Sequence, residues 1–148
     1  MTPNKFLSEA LSILATFDPA STGPGTVTTN WAPVKNHIAL MALIQTGLLG
    51  AGATVDVLVQ QATTIAGAGV KAVTGKALTQ IIKATGDNKQ ALINFKGQDL
   101  DTEAGFAFVR ISITVGGSAS LVGATLFGGA PNYEPAQSFN QTAVAQII

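Results

Sequence analysis

Three stretches of the chain alternate strictly between apolar and polar positions, with the period of two that an extended strand imposes. Val109, Ile111, Ile113 and Val115 fall on one side, and Arg110, Ser112 and Thr114 on the other. Val55, Val57 and Val59 oppose Thr54, Asp56 and Gln60, while Ala91, Ile93 and Phe95 oppose Asn94 and Lys96. Each pattern predicts a strand with one side in a core and the other wetter. On the same signals and on β-branched or aromatic content, strands are predicted at residues 26–31, 37–46, 54–63, 77–84, 90–96, 106–115 and 120–128. Glycine-rich turns at 47–52, 67–69, 86–88 and 116–117 separate them. Short strands punctuated in this way predict an antiparallel sandwich or barrel.

Residues 37–46 break the alternation. Ile38, Leu40, Ala42 and Ile44 lie on one face, but Ala39, Met41 and Leu43 lie on the other. Both faces are expected to be covered, the outer one by a neighbouring subunit or by an N-terminal helix. That helix is predicted over residues 4–14, where Phe6, Leu7, Ala10, Leu11 and Leu14 share a face and Asn4 is placed to cap it. A strand through Ala15 and Phe17 competes with it. Residues 18–25 (DPASTGPG) read as a loop. Past Gly128 and Gly129 the chain leaves through a turn-rich exit at 130–135 (APNYEP), and residues 143–148 (AVAQII) form an apolar end. Such an end either packs on its own domain or adds to the edge of a partner's sheet. The predicted organisation is an N-terminal helix or arm at 1–17, a β-sandwich at 18–135 and a C-terminal arm at 136–148.

Composition sharpens this picture. The 148 residues include only eight Lys+Arg and eight Asp+Glu, 11% charged, while 47% are hydrophobic; about 25% charged is usual. Free domains normally stay dispersed by covering themselves with charge, so this chain reads as a structural subunit that loses surface in a permanent assembly. Zero formal net charge and a pI near 6.5 leave no basic field to attract nucleic acid or an anionic membrane. Without cysteine there are no disulfides, no thiolate chemistry and none of the common zinc frameworks. The first 17 residues carry Lys5 and Glu9 and lack the apolar run of a secretory signal. The longest apolar stretch, 38–44, is far short of the ~20 residues that span a bilayer.

Searches for reactive constellations end in structural readings. Residues 69–77 (GVKAVTGKA) place five residues between the glycines where a phosphate loop has about four, and Ala77 cannot ligate magnesium. Gly47, Gly50 and Gly52 lack the βαβ context of a dinucleotide site. Asp99, Asp101 and Glu103 alternate as calcium ligands do, but no later glutamate completes a loop. His37, the sole histidine, opens an apolar strand without a nucleophile or acid signature around it. Asn140-Gln141-Thr142 has the form of a glycosylation acceptor without a secretion signal to support it. Trp31, Tyr133 and the phenylalanines are scattered, as core or interface anchors are. No catalytic, cofactor-binding or metal-binding residue is assigned. The interface candidates are Ala39, Met41 and Leu43, then Val144, Ile147 and Ile148.

Residues 47–64 (GLLGAGATVDVLVQQATT), 68–80 (AGVKAVTGKALTQ) and 89–101 (KQALINFKGQDLD) resemble a family of small structural proteins of tailed phages and prophages. So do residues 105–135 (GFAFVRISITVGGSASLVGATLFGGAPNYEP), where the family has a similar aromatic-Val-Arg strand and closes on Gly, an aromatic residue and Pro. The resemblance covers residues 15–135 and includes no catalytic motif. It implies a virion component encoded among head genes: a head decoration (cement) protein on the outer capsid, commonly a trimer at three-fold sites, assembled in the host cytoplasm. Its partners would be the major capsid protein and further copies of itself, with no nucleic acid, membrane or cofactor. The expected architecture is all-β, an antiparallel, jelly-roll-like β-sandwich of seven or eight strands with a short N-terminal helix or arm. Two other functions compete. A minor tail or fibre module binding host surface carbohydrate predicts an exposed aromatic cluster. A small hydrolase would need converging acidic or histidine side chains, which the sequence does not show.

Overall fold

A computed structural model describes residues 6–133 and 143–148. The cap expected at Asn4 and the acceptor Asn140-Gln141-Thr142 lie outside the described residues. The N-terminal helix is a single turn, α1 (Leu7–Ala10), opened by the Phe6 N–H donating to the Glu9 carboxylate at 2.8 Å. Strands β1 (Leu11–Thr22), β2 (Gly25–Thr28), β3 (Ala32–Pro33), β4 (His37–Thr46), β5 (Thr54–Ala62), β6 (Lys71–Ala77) and β7 (Ile81–Ile82) follow. After a second one-turn helix, α2 (Lys83–Gly86), come β8 (Gln90–Lys96), two 3-10 turns, β9 (Phe108–Gly116) and β10 (Ser120–Pro131).

Among the described residues all pairings are antiparallel and form two sheets, one ordered β1-β10-β4-β8 and the other β2-β9-β5-β6, with β3 added on β9 and β7 on β5. Setting aside the two-residue β3 and β7 leaves eight strands among the described residues. The chain crosses between sheets from β1 to β2, β2 to β4, β4 to β5, β6 to β8, β8 to β9 and β9 to β10, which is the double Greek key of a jelly roll.

The alternating strands fall where the pattern puts them. Val55, Val57 and Val59 on β5 and Val109, Ile111, Ile113 and Val115 on β9 are all at most 2% exposed. They meet Leu40, Ala42 and Ile44 of β4, Ile93 and Phe95 of β8 and Val122, Ala124 and Leu126 of β10. β-branched side chains are stiff and suit this pleated, close-packed interior. Of the loop glycines, Gly117 is required by both space and angle: its φ is +76°, and a Cβ there would lie 2.6 Å from the Gly52 carbonyl oxygen.

Four expectations change. The helix predicted over 4–14 stops at Ala10, because Leu11, Ile13, Ala15 and Phe17 also alternate and gain a ladder with β10, whereas a short helix needs a packing partner to persist. Residues 18–25 are not a loop: β1 runs on to Thr22, and only Gly23 and Pro24 separate it from β2. Asp18 and Pro19 are absorbed where the β1–β10 register shifts between Phe17 and Ala20, on an outermost strand where proline is tolerated. Of the segment taken as an arm, residues 11–17 therefore belong to the sheet. The strand predicted at 77–84 is displaced to β6, leaving only β7 and α2. β6 is a sheet edge with Val73 as its only buried residue and a left-handed glycine, Gly75 (φ +73°), so its apolar signal is faint.

Ile111 is fully buried at the centre of β9. Ile111→Ala is expected to cost about 3 kcal/mol through the cavity it leaves, and Ile111→Asp several kcal/mol more through an unpaired buried carboxylate. Urea unfolding followed by circular dichroism checks both, and an unchanged midpoint for Ile111→Asp would refute the assigned core.

Candidate interaction surfaces

The two sheets turn opposite chemistries outward. On the four-stranded sheet the cross-strand register builds three outer rows: Leu11, Gly129, Ala39 and Lys96; Ile13, Phe127, Met41 and Asn94; Thr16, Thr125, Leu43 and Leu92. Only Lys96, at the β8 corner, is charged. On the other sheet most outward positions are polar, Leu58 and Phe108 apart, and several of the polar side chains engage one another. The Thr26 and Thr114 hydroxyls share a 2.8 Å hydrogen bond, the Gln80 amide donates to both Asp56 carboxylate oxygens, and Arg110 Nε donates to Gln60 Oε1 at 2.7 Å.

The chain's own ends lie over part of the apolar face. α1 packs on β1 and β10. Residues 143–148 come alongside, so that Leu7, Leu11, Ile13, Phe127, Val144 and Ile147 line a groove of about 360 Å³. The N-terminal turn thus lies over β1 and β10, the strands beside Met41 and Leu43 of β4, with the C-terminal segment next to it. Met41 and Leu43 are half-buried and Ala39 is exposed. Leu92, next to Leu43, is 52% exposed. Val144 is half-buried, Ile147 is 67% exposed and Ile148 fully so. The structure therefore gathers Val144 and Ile147 against Phe127, the cross-strand neighbour of Met41. Leu11, Ile13, Phe127 and Leu92 were not among the sequence candidates. Their place on this face depends on register, and only the apolar odd positions of β1 hinted at it.

The polar candidates separate. Asp101 pairs with Lys71 at 2.6 Å, and Asp99 accepts the Lys96 N–H at 2.8 Å and faces Lys76 at 3.4 Å. This acidic run ties the turn before β9 to β6, and the described residues contain no group of three or more metal-ligating side chains. Trp31 lies under the Arg110 guanidinium, 4.5 Å from the ring centroid, and its Nε1 would be 2.6 Å from a Cβ on Gly67, so it is not an open stacking platform. Tyr133 and Phe6 are the strongly exposed aromatics among the described residues. No helix among these residues is long and apolar enough to cross a membrane.

His37 is buried with both ring nitrogens unpartnered, its ring lying where a Cβ on Gly128 would come within 2.6 Å. Burial therefore holds its pKa below the ordinary 6.5. Asp87 is held below the usual carboxylate range by the Leu49 N–H and by Lys83, and Asp101 by Lys71.

No family model matches this chain, and no curated protein matches it. Among solved structures it is similar to the CBM22-1–GH10 modules of Clostridium thermocellum xylanase 10B, complexed with xylohexaose (7% identity over 83% of this chain and 26% of that one, TM-score 0.44). It is also similar to a chain of infectious bursal disease virus, Gt strain (11%, 86% and 34%, 0.46), and to one of the naturally empty top component of cowpea mosaic virus (9%, 86% and 91%, 0.44). The chain spans about a quarter of the first and a third of the second.

Because the unfolded chain protonates His37 more readily than the folded one, folding stability is expected to fall as pH drops below 6.5 and to keep falling until the folded-state pKa is passed. The slope reaches at most about 1.4 kcal/mol per pH unit. The Asp87 and Asp101 contributions are present above the ordinary 3.8 and are lost only as pH falls below it, so the windows separate. Urea melts of wild type and His37→Leu between pH 5 and 7.5 check this: the slope should be confined to wild type, and equal slopes would refute it.

Proposed function

We propose that this protein is a virion structural subunit, a capsid decoration or cement protein that binds the outer surface of a phage head and stabilises it without catalysis. The observation that carries the reading is the nearly uncharged apolar outer face of the four-stranded sheet, on a rigid sandwich with few charges elsewhere. The family resemblance of residues 15–135 supports the same reading. The partners are the major capsid protein and further copies of this chain, as a homotrimer; no nucleic acid, membrane or cofactor takes part.

The physical logic is linkage. A capsid under internal pressure fails where neighbouring subunits part, and a protein that binds only the intact junction stabilises it by mass action. Individual contacts are weak, but an oligomer that grips several capsid subunits at once gains through effective concentration. Such a protein needs broad contact area and stiff strands, and no reactive group.

Particles lacking the protein are expected to release DNA at a lower temperature than complete ones, and density or labelling is expected on the head exterior. Deleting residues 137–148 should weaken attachment at least tenfold while the circular dichroism spectrum and unfolding midpoint stay close to wild type. Equal heat resistance, or density in the tail together with measurable glycan affinity, would remove this reading in favour of a carbohydrate-binding tail or fibre module.

A further inference from the structure

We infer that the groove on the outer face of the four-stranded sheet takes the carboxy-terminal segment, Val144 to Ile148, of a second copy of this chain. The inference concerns self-association alone and stands or falls apart from any role on a capsid.

The chemistry of the occupant is already visible in the groove. Its walls are Leu7, Leu11, Ile13 and Phe127, and the groups set against them are this chain's own Val144 and Ile147. The fit within one chain is incomplete. About 360 Å³ of the groove stays open beside these residues, while Ile147 is 67% exposed and Ile148 entirely so. Two isoleucines at a chain end gain little from lying on a surface that leaves them wet. The same face continues across β4 and β8 through Met41, Leu43 and Leu92, the last 52% exposed. A segment arriving from a neighbour brings these two unburied sets together: its Val144 and Ile147 seat in the groove beside Leu11 and Phe127, and its Ile148 runs on toward Met41, Leu43 and Leu92.

Reach and charge both permit the exchange. Nine residues separate Tyr133 from Ala143 in the sequence, and an extended stretch of that length reaches about 30 Å. The axes of the outermost strands of a four-stranded sheet lie only about 14 Å apart, so the segment is long enough to leave its own face and cross another. The three outer rows carry one charged side chain, Lys96 at the corner, so two copies meet there without opposing like charges across the centre. Any contact one chain makes with its own end is open in identical form to two chains, which is the condition for exchanging an element between protomers.

Light scattering and disulfide trapping test the inference together. The full chain is expected to be oligomeric at micromolar concentration, and the double variant Ile147→Asp/Ile148→Asp to be a folded monomer. Its dissociation constant should rise by on the order of 100-fold or more, as losing two buried isoleucines implies. The chain has no cysteine, so engineered thiols report without interference. A tagged copy carrying Leu11→Cys, oxidised with an untagged copy carrying Ile147→Cys, is expected to give a mixed covalent dimer as the main product. A monomeric full chain overturns the inference. So does an Asp variant that keeps the wild-type mass. So does a Leu11→Cys/Ile147→Cys double variant that closes only within its own chain, and this trapping result remains decisive if the Asp variant fails to fold.

Discussion

Everything else in this molecule depends on the seam between its two sheets. Val55, Val57 and Val59 from β5 and Val109, Ile111, Ile113 and Val115 from β9 present one continuous β-branched surface, because the two strands are paired in register along their lengths. Leu40, Ala42 and Ile44 of β4 and Val122, Ala124 and Leu126 of β10 supply the facing surface. Both sheets keep their central strands at this seam, and β1, β8, β2 and β6 flank them. The turns and the short strand β3 extend this core: Ala32, Val34, Leu49, Ala53, Leu100 and Phe106 belong to the same buried cluster.

That hierarchy explains what the sequence revealed. β4 and β8 lie at the residues predicted, and β5 and β9 differ at their ends by at most two residues. β5, β8 and β9 alternate strictly between turns, and β4 stands out as an unbroken apolar run between turns. β1 and β6 were misread for opposite reasons. In β1 an irregular register, with Leu14 and Ala15 both buried at one shift and Pro19 at another, disguises the period of two as a helical one. In β6 the solvent takes nearly every side chain, so there is no period to detect. The apolar outer face was legible by the same measure. Met41 and Leu43 stood out because their strand is apolar on both sides, but Phe127, Leu92 and Leu11 join them only through cross-strand register. Register is set by how β1, β10, β4 and β8 align, which no single segment encodes.

The unequal outer faces also account for the composition. On the six-stranded sheet, Asp56, Gln60, Gln80 and Arg110 satisfy one another, and several of the lysines and carboxylates are tied up in the turns and edge around β6 and β8: Lys71 with Asp101, Lys76 with Asp99, Lys83 with Asp87. Exposed pairs of this kind contribute little to stability. Their placement leaves the outside of the β1-β10-β4-β8 sheet with almost no charge, so the scarcity seen in the whole chain is concentrated on one side.

The margins of that sheet carry a consequence for the kind of assembly it can enter. A bare strand at the border of a sheet is a template on which further strands add without limit, and fibres grow that way. Here one border, β1, is bent by two register shifts with Pro19 at the second, and a proline has no N–H to offer an incoming strand. At the other border, β8, the Asn94 carbonyl already accepts Lys76 Nζ at 2.9 Å and the Lys96 N–H is already held by Asp99. Lateral strand addition is therefore hindered at both borders, while the flat of the sheet carries no such obstacle. Contact through the flat of the sheet adds no strand to it, so it does not lengthen the sheet as fibre growth does.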